Sequence, residues 1–236
     1  MTNWADLSEQ LEGALGLANK PLAITFHDAA SGVDRFQSNM PSPADDGRTG
    51  AVPAGCVFWM HAADSTFSTV AADHRNCSVG SVTHGFLELG DVLESGDVGA
   101  LLESGWVTAE AAMGIPVVED KPEEVVYGPL DESPSDPDVV FIRITGRQLM
   151  VLHDAFPTIR IEGKPQCHIV AIAKAGEMAA SVGCQLSRVR TQMPNAEMTC
   201  AIPASQLEGL LERLSETAQA DRAVAQYAAD DMTRFA

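Results

Sequence analysis

The chain has 236 residues, 45% hydrophobic and 20% charged, within the range of an ordinary globular protein with material for a sizeable core. Asp and Glu number 33 against 15 Lys and Arg, a formal net charge of −18. Phosphate backbones and anionic membrane surfaces are bound through Lys and Arg, so this balance argues against nucleic-acid and membrane partners.

No basic residue precedes Lys20 and no continuous apolar run opens the chain, so no signal peptide is expected. No later stretch approaches the roughly 20 apolar residues of a membrane span. Five cysteines, an odd number, do not suit a secreted disulfide framework. Together these predict a cytoplasmic protein whose cysteines stay thiols, bind metal or carry out redox chemistry.

Trp4, Leu7, Leu11 and Leu15 recur at helical spacing, predicting an amphipathic helix over 4–18, with a strand at 22–26 after Pro21. Residues 28–52, rich in Gly, Pro, Ser and Asp, predict a long loop, either a functional lid or a disordered segment. A buried helix over 54–63, a strand over 65–71 and a polar turn at 73–78 follow, with Ser78 as N-cap of a segment 79–89. Residues 90–113 read as two short helices, the second opening near Thr108. Strands are expected at 124–127, 139–144 and 196–202, and a weaker one at 158–161. Helices are expected over 147–155, 166–175 and 205–214, with an Ala-rich helical tail at 218–236. This irregular alternation predicts a single domain over 1–236 of α/β class, a layered mixed sheet with helices; α+β is the alternative.

The two halves echo each other around their cysteines. Cys56 and Cys77 are separated by a Ser/Thr-rich strand, and Cys167 and Cys184 by a shorter strand-like stretch. Each pair follows a strand, Pro-Leu-Ala-Ile-Thr-Phe in one half and Val-Val-Phe-Ile-Arg-Ile in the other. An internal duplication with halves 1–118 and 119–217 would relate the pairs by a pseudo-two-fold axis and let them converge.

Cys56, Cys77, Cys167 and Cys184 are therefore the candidate metal ligands, since four thiolates suit iron–sulfur or zinc. The tight Cys-x-x-Cys spacing of a zinc ribbon is absent, and buried structural thiols are the plain alternative. His61, close after Cys56, and His74-x-x-Cys77 followed by His84 add imidazoles. Were 79–89 helical, Cys77 and His84 would share a face. A thiol at a helix start, as at Cys77 or Cys184, also suits nucleophilic chemistry, because the helix dipole lowers its pKa. Arg188 and Arg190 stand out in so acidic a chain as possible partners for an anionic substrate group. No Walker loop, dinucleotide fingerprint or nucleophile elbow is present.

With these residues in view, the chain resembles the domain-of-unknown-function 169 family of bacterial and archaeal proteins. The resemblance rests on Asn19-Lys20-Pro21-Leu22-Ala23-Ile24, Gly55-Cys56, His74-Arg75-Asn76-Cys77-Ser78-Val79-Gly80 with His84-Gly85, and Tyr127-Gly128-Pro129-Leu130. It continues through Pro137-Asp138-Val139-Val140-Phe141, Gln148-Leu149-Met150, Cys167, Ser181-x-Gly183-Cys184 with Arg188, and Glu197 to Ile202-Pro203. It implies an architecture and paired cysteines, and no assigned reaction; Cys200 falls outside the pattern and reads as structural.

The expected function is a cysteine-ligated metal centre, an iron–sulfur cluster ahead of zinc or haem, in a redox or small-molecule-transforming role. His61, His74, His84 and Arg188 would support the ligands or the substrate; no catalytic residue is assigned. The rivals are a metal-free thiol enzyme using Cys77 or Cys184 and a haem or small-ligand binding module. A small-molecule substrate or redox partner, and a homodimer, complete the expectation.

Overall fold

A computed structural model of the chain describes residues 2–37, 54–93 and 96–233. Positions 38–52 of the expected lid loop lie outside them. In chain order the elements are α1 (Trp4–Leu15), β1 (Leu22–His27), α2 (Gly55–His61), β2 (Phe67–Thr69), α3 (Ala71–His74), α4 (Ser78–Thr83), α5 (Leu89–Val92), α6 (Gly96–Glu103), α7 (Ala109–Met113) and β3 (Glu124–Pro129). The second half holds β4 (Val139–Thr145), α8 (Gly146–Ala155), β5 (Arg160–Glu162), α9 (His168–Lys174), β6 (Ala179–Ser181), α10 (Gln185–Thr191), β7 (Glu197–Pro203) and α11 (Leu207–Met232). No described helix is long and apolar enough to cross a membrane.

Seven strands form one mixed sheet in the order β2-β3-β1-β4-β7-β6-β5, antiparallel except for the β5–β6 pair. Helices cover both faces, which makes this an α/β fold. Successive residues of a strand point to opposite faces, so an uninterrupted apolar strand serves both layers. On β4, Val140, Ile142 and Ile144 pack toward α1, α8 and α11, while Val139 and Phe141 pack toward α2 and α9. Thr145 and Gln148 cap α8 reciprocally, fixing where β4 becomes helix.

The hydrogen-bonded register repeats between residues 22–132 and 139–206, so the repeat divides after residue 132 rather than at the expected 118. Along the central β1–β4 pair, Leu22 faces Phe141 and Ile24 faces Val139, with Ala23 opposite Val140 between them. Phe67 faces Tyr127 as Ala179 faces Ala201, and each of the two stretches ends in a 3₁₀ turn, Leu130–Glu132 and Ala204–Gln206. Even the parallel edge recurs: an isolated bridge from Arg35 to Ser68 stands where Ile161 pairs with Ala180.

Several elements differ from expectation. The strand over 65–71 is only Phe67–Thr69, because Ala71 already begins α3. The segment 79–89 is helical only to Thr83, with Cys77 rather than Ser78 at the N-cap. Gly85, at φ +79°, ends it, and a left-handed glycine there stops the helix. Three helices, α5 to α7, occupy the span predicted for two, although Thr108 does cap the last, accepting from Ala111 N–H. The helix over 205–214 and the tail are one helix, α11.

Candidate functional site

All four paired cysteines line one cavity on the α2–α9 face. They arrive from four helix starts: Cys56 is the second residue of α2, and Cys77, Cys167 and Cys184 are the N-caps of α4, α9 and α10. The helices pack crosswise between halves, α2 against α10 and α4 against α9, so each half's cysteines meet those of the other. Every pair among the four sulfurs is close enough for a Coulombic interaction, which adds to the raised pKa values of Cys56, Cys167 and Cys184.

Burial governs these thiols. It pushes Cys56 up to about 11 and Cys167 well above the ordinary thiol value, with Cys77 adding to both. Cys184 is raised by burial too, although the backbone N–H groups of Ser187 and Leu186 oppose the shift. The backbone N–H of Cys184 donates to Oε1 of Gln166 at 3.1 Å. The Arg190 guanidinium lies within hydrogen-bonding range of the Cys77 and Cys56 sulfurs, and its Nη2 donates to the Asn76 carbonyl at 2.9 Å. Trp59, Trp106, Pro165 and Ser187 complete much of the wall, leaving about 30 Å³ of room. Among the described residues, no three His, Cys, Asp or Glu side chains stand close enough to clasp a single metal ion.

The histidines divide. His74 and His84 are buried, with ring centroids 5.1 Å apart, behind Gly55. A Cβ on Gly55 would stand 3.3 Å from His84 Cε1, so glycine there lets the ring come up under α2. Cys77 and His84 do not share a helix face, since His84 is the C-cap of α4. His61 closes the far end of α2, beside Phe36 at 6.2 Å. Arg188 is engaged by backbone, donating to the carbonyls of Val182, Pro194 and Glu197 at 2.6 to 3.0 Å. Cys200 lies on β7 within the opposite core layer.

Gln166 and Trp106 carry no motif that would single them out in the sequence. Gln166 is adjacent to Cys167, but its part in the wall depends on the Cys184 backbone, 18 residues further along. Arg190, paired with Arg188 in the sequence, is the one of the two that reaches the cavity.

No curated protein and no solved structure matches the chain. The model of the domain-of-unknown-function 169 family, described as uncharacterised ArCR, matches residues 10–213. Its span takes in the seven-stranded sheet and all four cysteines of the cavity, and the chain belongs to this family.

Proposed function

We propose that the protein holds a cysteine-ligated metal centre, an iron–sulfur cluster in preference to zinc, in a redox or small-molecule-transforming role. The carrying observation is the convergence of Cys56, Cys77, Cys167 and Cys184, from four elements and both halves, on one cavity. Four thiols so placed suit a cation that displaces their protons, because a metal deprotonates a thiol outright. A tetrahedral zinc site holds its sulfurs about 2.3 Å from one point, whereas cluster ligands stand around a larger body. Thiols that surround a cavity without clasping one point favour the cluster. A bound cluster would supply single-electron transfer; the chain supplies the thiolates, the N–H groups at Cys184 and the positive charge of Arg190.

Two rivals fit less well. Burial drives Cys184, one of the two candidate nucleophiles, toward the protonated form, the opposite of what a thiol nucleophile needs. Room of about 30 Å³ does not suit a haem macrocycle. We also propose that the halves descend from one duplicated unit, which the repeated strand register supports.

The test is anaerobic reconstitution with iron and sulfide, with metal, sulfide and absorption measured on one sample. Iron and sulfide together with a visible charge-transfer band are expected. Serine at any of the four cavity cysteines should lower that uptake, and Cys200→Ser should leave it intact. A chain that takes up zinc alone overturns the cluster, and one that takes up neither metal overturns the centre.

A further inference from the structure

The rest of the cavity wall has a polarity of its own. In a chain with 33 acidic residues, no Asp or Glu among the described residues lines this cavity, and Arg190 is the one charged side chain among those that do. Trp59 and Gln166 are each 2% exposed, and Trp59 Nε1 and Gln166 Nε2 have no hydrogen-bond partner; Nη1 of half-buried Arg190 meets no oxygen or nitrogen acceptor, the guanidinium facing only the Cys77 and Cys56 sulfurs there. All three are N–H donors, and buried donors left without an acceptor are uncommon. Their supports are already in place. Gln166 spends its oxygen on the Cys184 backbone, which leaves the amide NH₂ over, and the Asn76 carbonyl holds the Arg190 fork.

We propose that this wall is a receptor for a small inorganic oxyanion, with Arg190 as charge partner and the Gln166 amide and Trp59 indole as further donors. An oxyanion brings several acceptor oxygens to a site that lacks them, and a guanidinium matches two at once. The Ser187 hydroxyl, on the same wall beside Cys56, adds an O–H. Room of about 30 Å³ sets the size class, for it admits a few atoms and excludes a sugar phosphate or nucleotide. The inference does not rest on the metal-centre reading: the anion binds the metal-free cavity, and a cluster held by the four cysteines would compete for the same room.

The experiment is calorimetric titration of full-length, metal-free protein with phosphate, sulfate and nitrite at constant ionic strength and pH 7, with chloride as the reference. Saturable one-site binding of at least one oxyanion is expected. Arg190→Gln should weaken it at least tenfold, Arg190→Lys should restore part of it, and Arg222→Gln, on α11, should change nothing. Trp59→Phe removes the N–H alone and should weaken binding several-fold, which covers the case of an Arg190 variant that fails to fold. Absence of saturable binding for all three anions, or binding unaltered by both Arg190→Gln and Trp59→Phe, overturns the proposal. Iron uptake on the same batches separates the two readings. Oxyanion binding without metal uptake leaves this inference standing and overturns the centre; metal uptake without oxyanion binding overturns this inference alone.

Discussion

Two buried imidazoles make the stability of this protein fall in acid. Nδ1 of His84 lies 2.8 Å from the Gly80 carbonyl and must carry the proton, so Nε2 is a bare lone pair without a partner. Nε2 of His74 faces the Thr69 hydroxyl, whose own proton goes to the Val125 carbonyl, so Nδ1 of His74 is likewise bare. Burial holds His74 well below the usual imidazole range and His84 at about 4, so both are neutral in the folded state. A base with a depressed folded pKa contributes stability that is present above its unfolded pKa, near 6.5, and is lost as pH falls through the folded value. For His84 the loss between pH 6.5 and 4 is about 3 kcal/mol. Urea denaturation at pH 7 and pH 4 should show this drop, and His84→Gln should show a smaller one; equal drops in both proteins would discount the histidine.

Cys56 makes a parallel prediction at the other end of the scale. A pKa raised from 9.0 to about 11 lowers its thiolate fraction about a hundredfold at neutral pH. Alkylation of Cys56 in metal-free native protein at pH 7.5 should therefore run at least about a hundredfold slower than in the unfolded chain. Fast, selective alkylation of Cys77 or Cys184 would instead revive the thiol-enzyme reading. The same raised values mean that metal uptake releases protons, so loading should strengthen steadily as pH rises from 6 to 9.

At the level of elements, the short helix α4 shows how a glycine sets geometry. Gly85 has φ +79°, and a Cβ on it would stand 2.7 Å from the Asp120 carbonyl oxygen and 2.8 Å from that of Val118. That close approach lets the Val118 N–H donate to Thr83 at 3.0 Å, tying the α5–α7 segment back onto α4. Gly85→Ala meets both backbone strain and a clash, and should cost about 3 kcal/mol. Gly16, at φ +62° with nothing within 4 Å of its Cβ position, meets the strain alone, and Gly16→Ala should cost about 1 kcal/mol. Thermal denaturation of the two variants side by side checks the ranking.

The same elements show what can be read before folding. The β-branched runs around Ile24 and Phe141 announce central strands, and the leucine spacing announces α1, because burial imposes those patterns locally. The extent of α4 is misjudged because its stop depends on Gly85 meeting a segment more than 30 residues away. The break expected between 214 and 218 does not occur, since no Gly or Pro interrupts the helix there. The cavity is the least legible feature. Four cysteines at separations that fit no ligand motif are gathered by crossed helix packing on a repeated sheet, and their spacing in the chain carries none of that.

For the molecule as a whole, α11 divides its work. Leu207, Leu210, Leu211, Leu214 and Ala218 are buried against the sheet layer, and beyond them Val224, Tyr227 and Met232 stand 64 to 74% exposed. Removing 222–236 should therefore leave stability within about 1 kcal/mol of the full chain, and it retains the Arg147–Asp221 ion pair. Removing 208–236 strips four of those five anchors and should abolish cooperative unfolding, as circular dichroism would report.

The crossed packing of α2 on α10 and α4 on α9 has a mechanical consequence. The central strands of the two halves meet over only three residue pairs, Leu22 to Ile24 against Val139 to Phe141. Whatever fills the cavity is gripped from both sides of that narrow seam. An occupant bonded to cysteines of both halves acts as a rivet: force that would part the sheet at its middle must first break bonds to the occupant. The loaded protein should yield elsewhere under tension, and the emptied one should open along its own centre line.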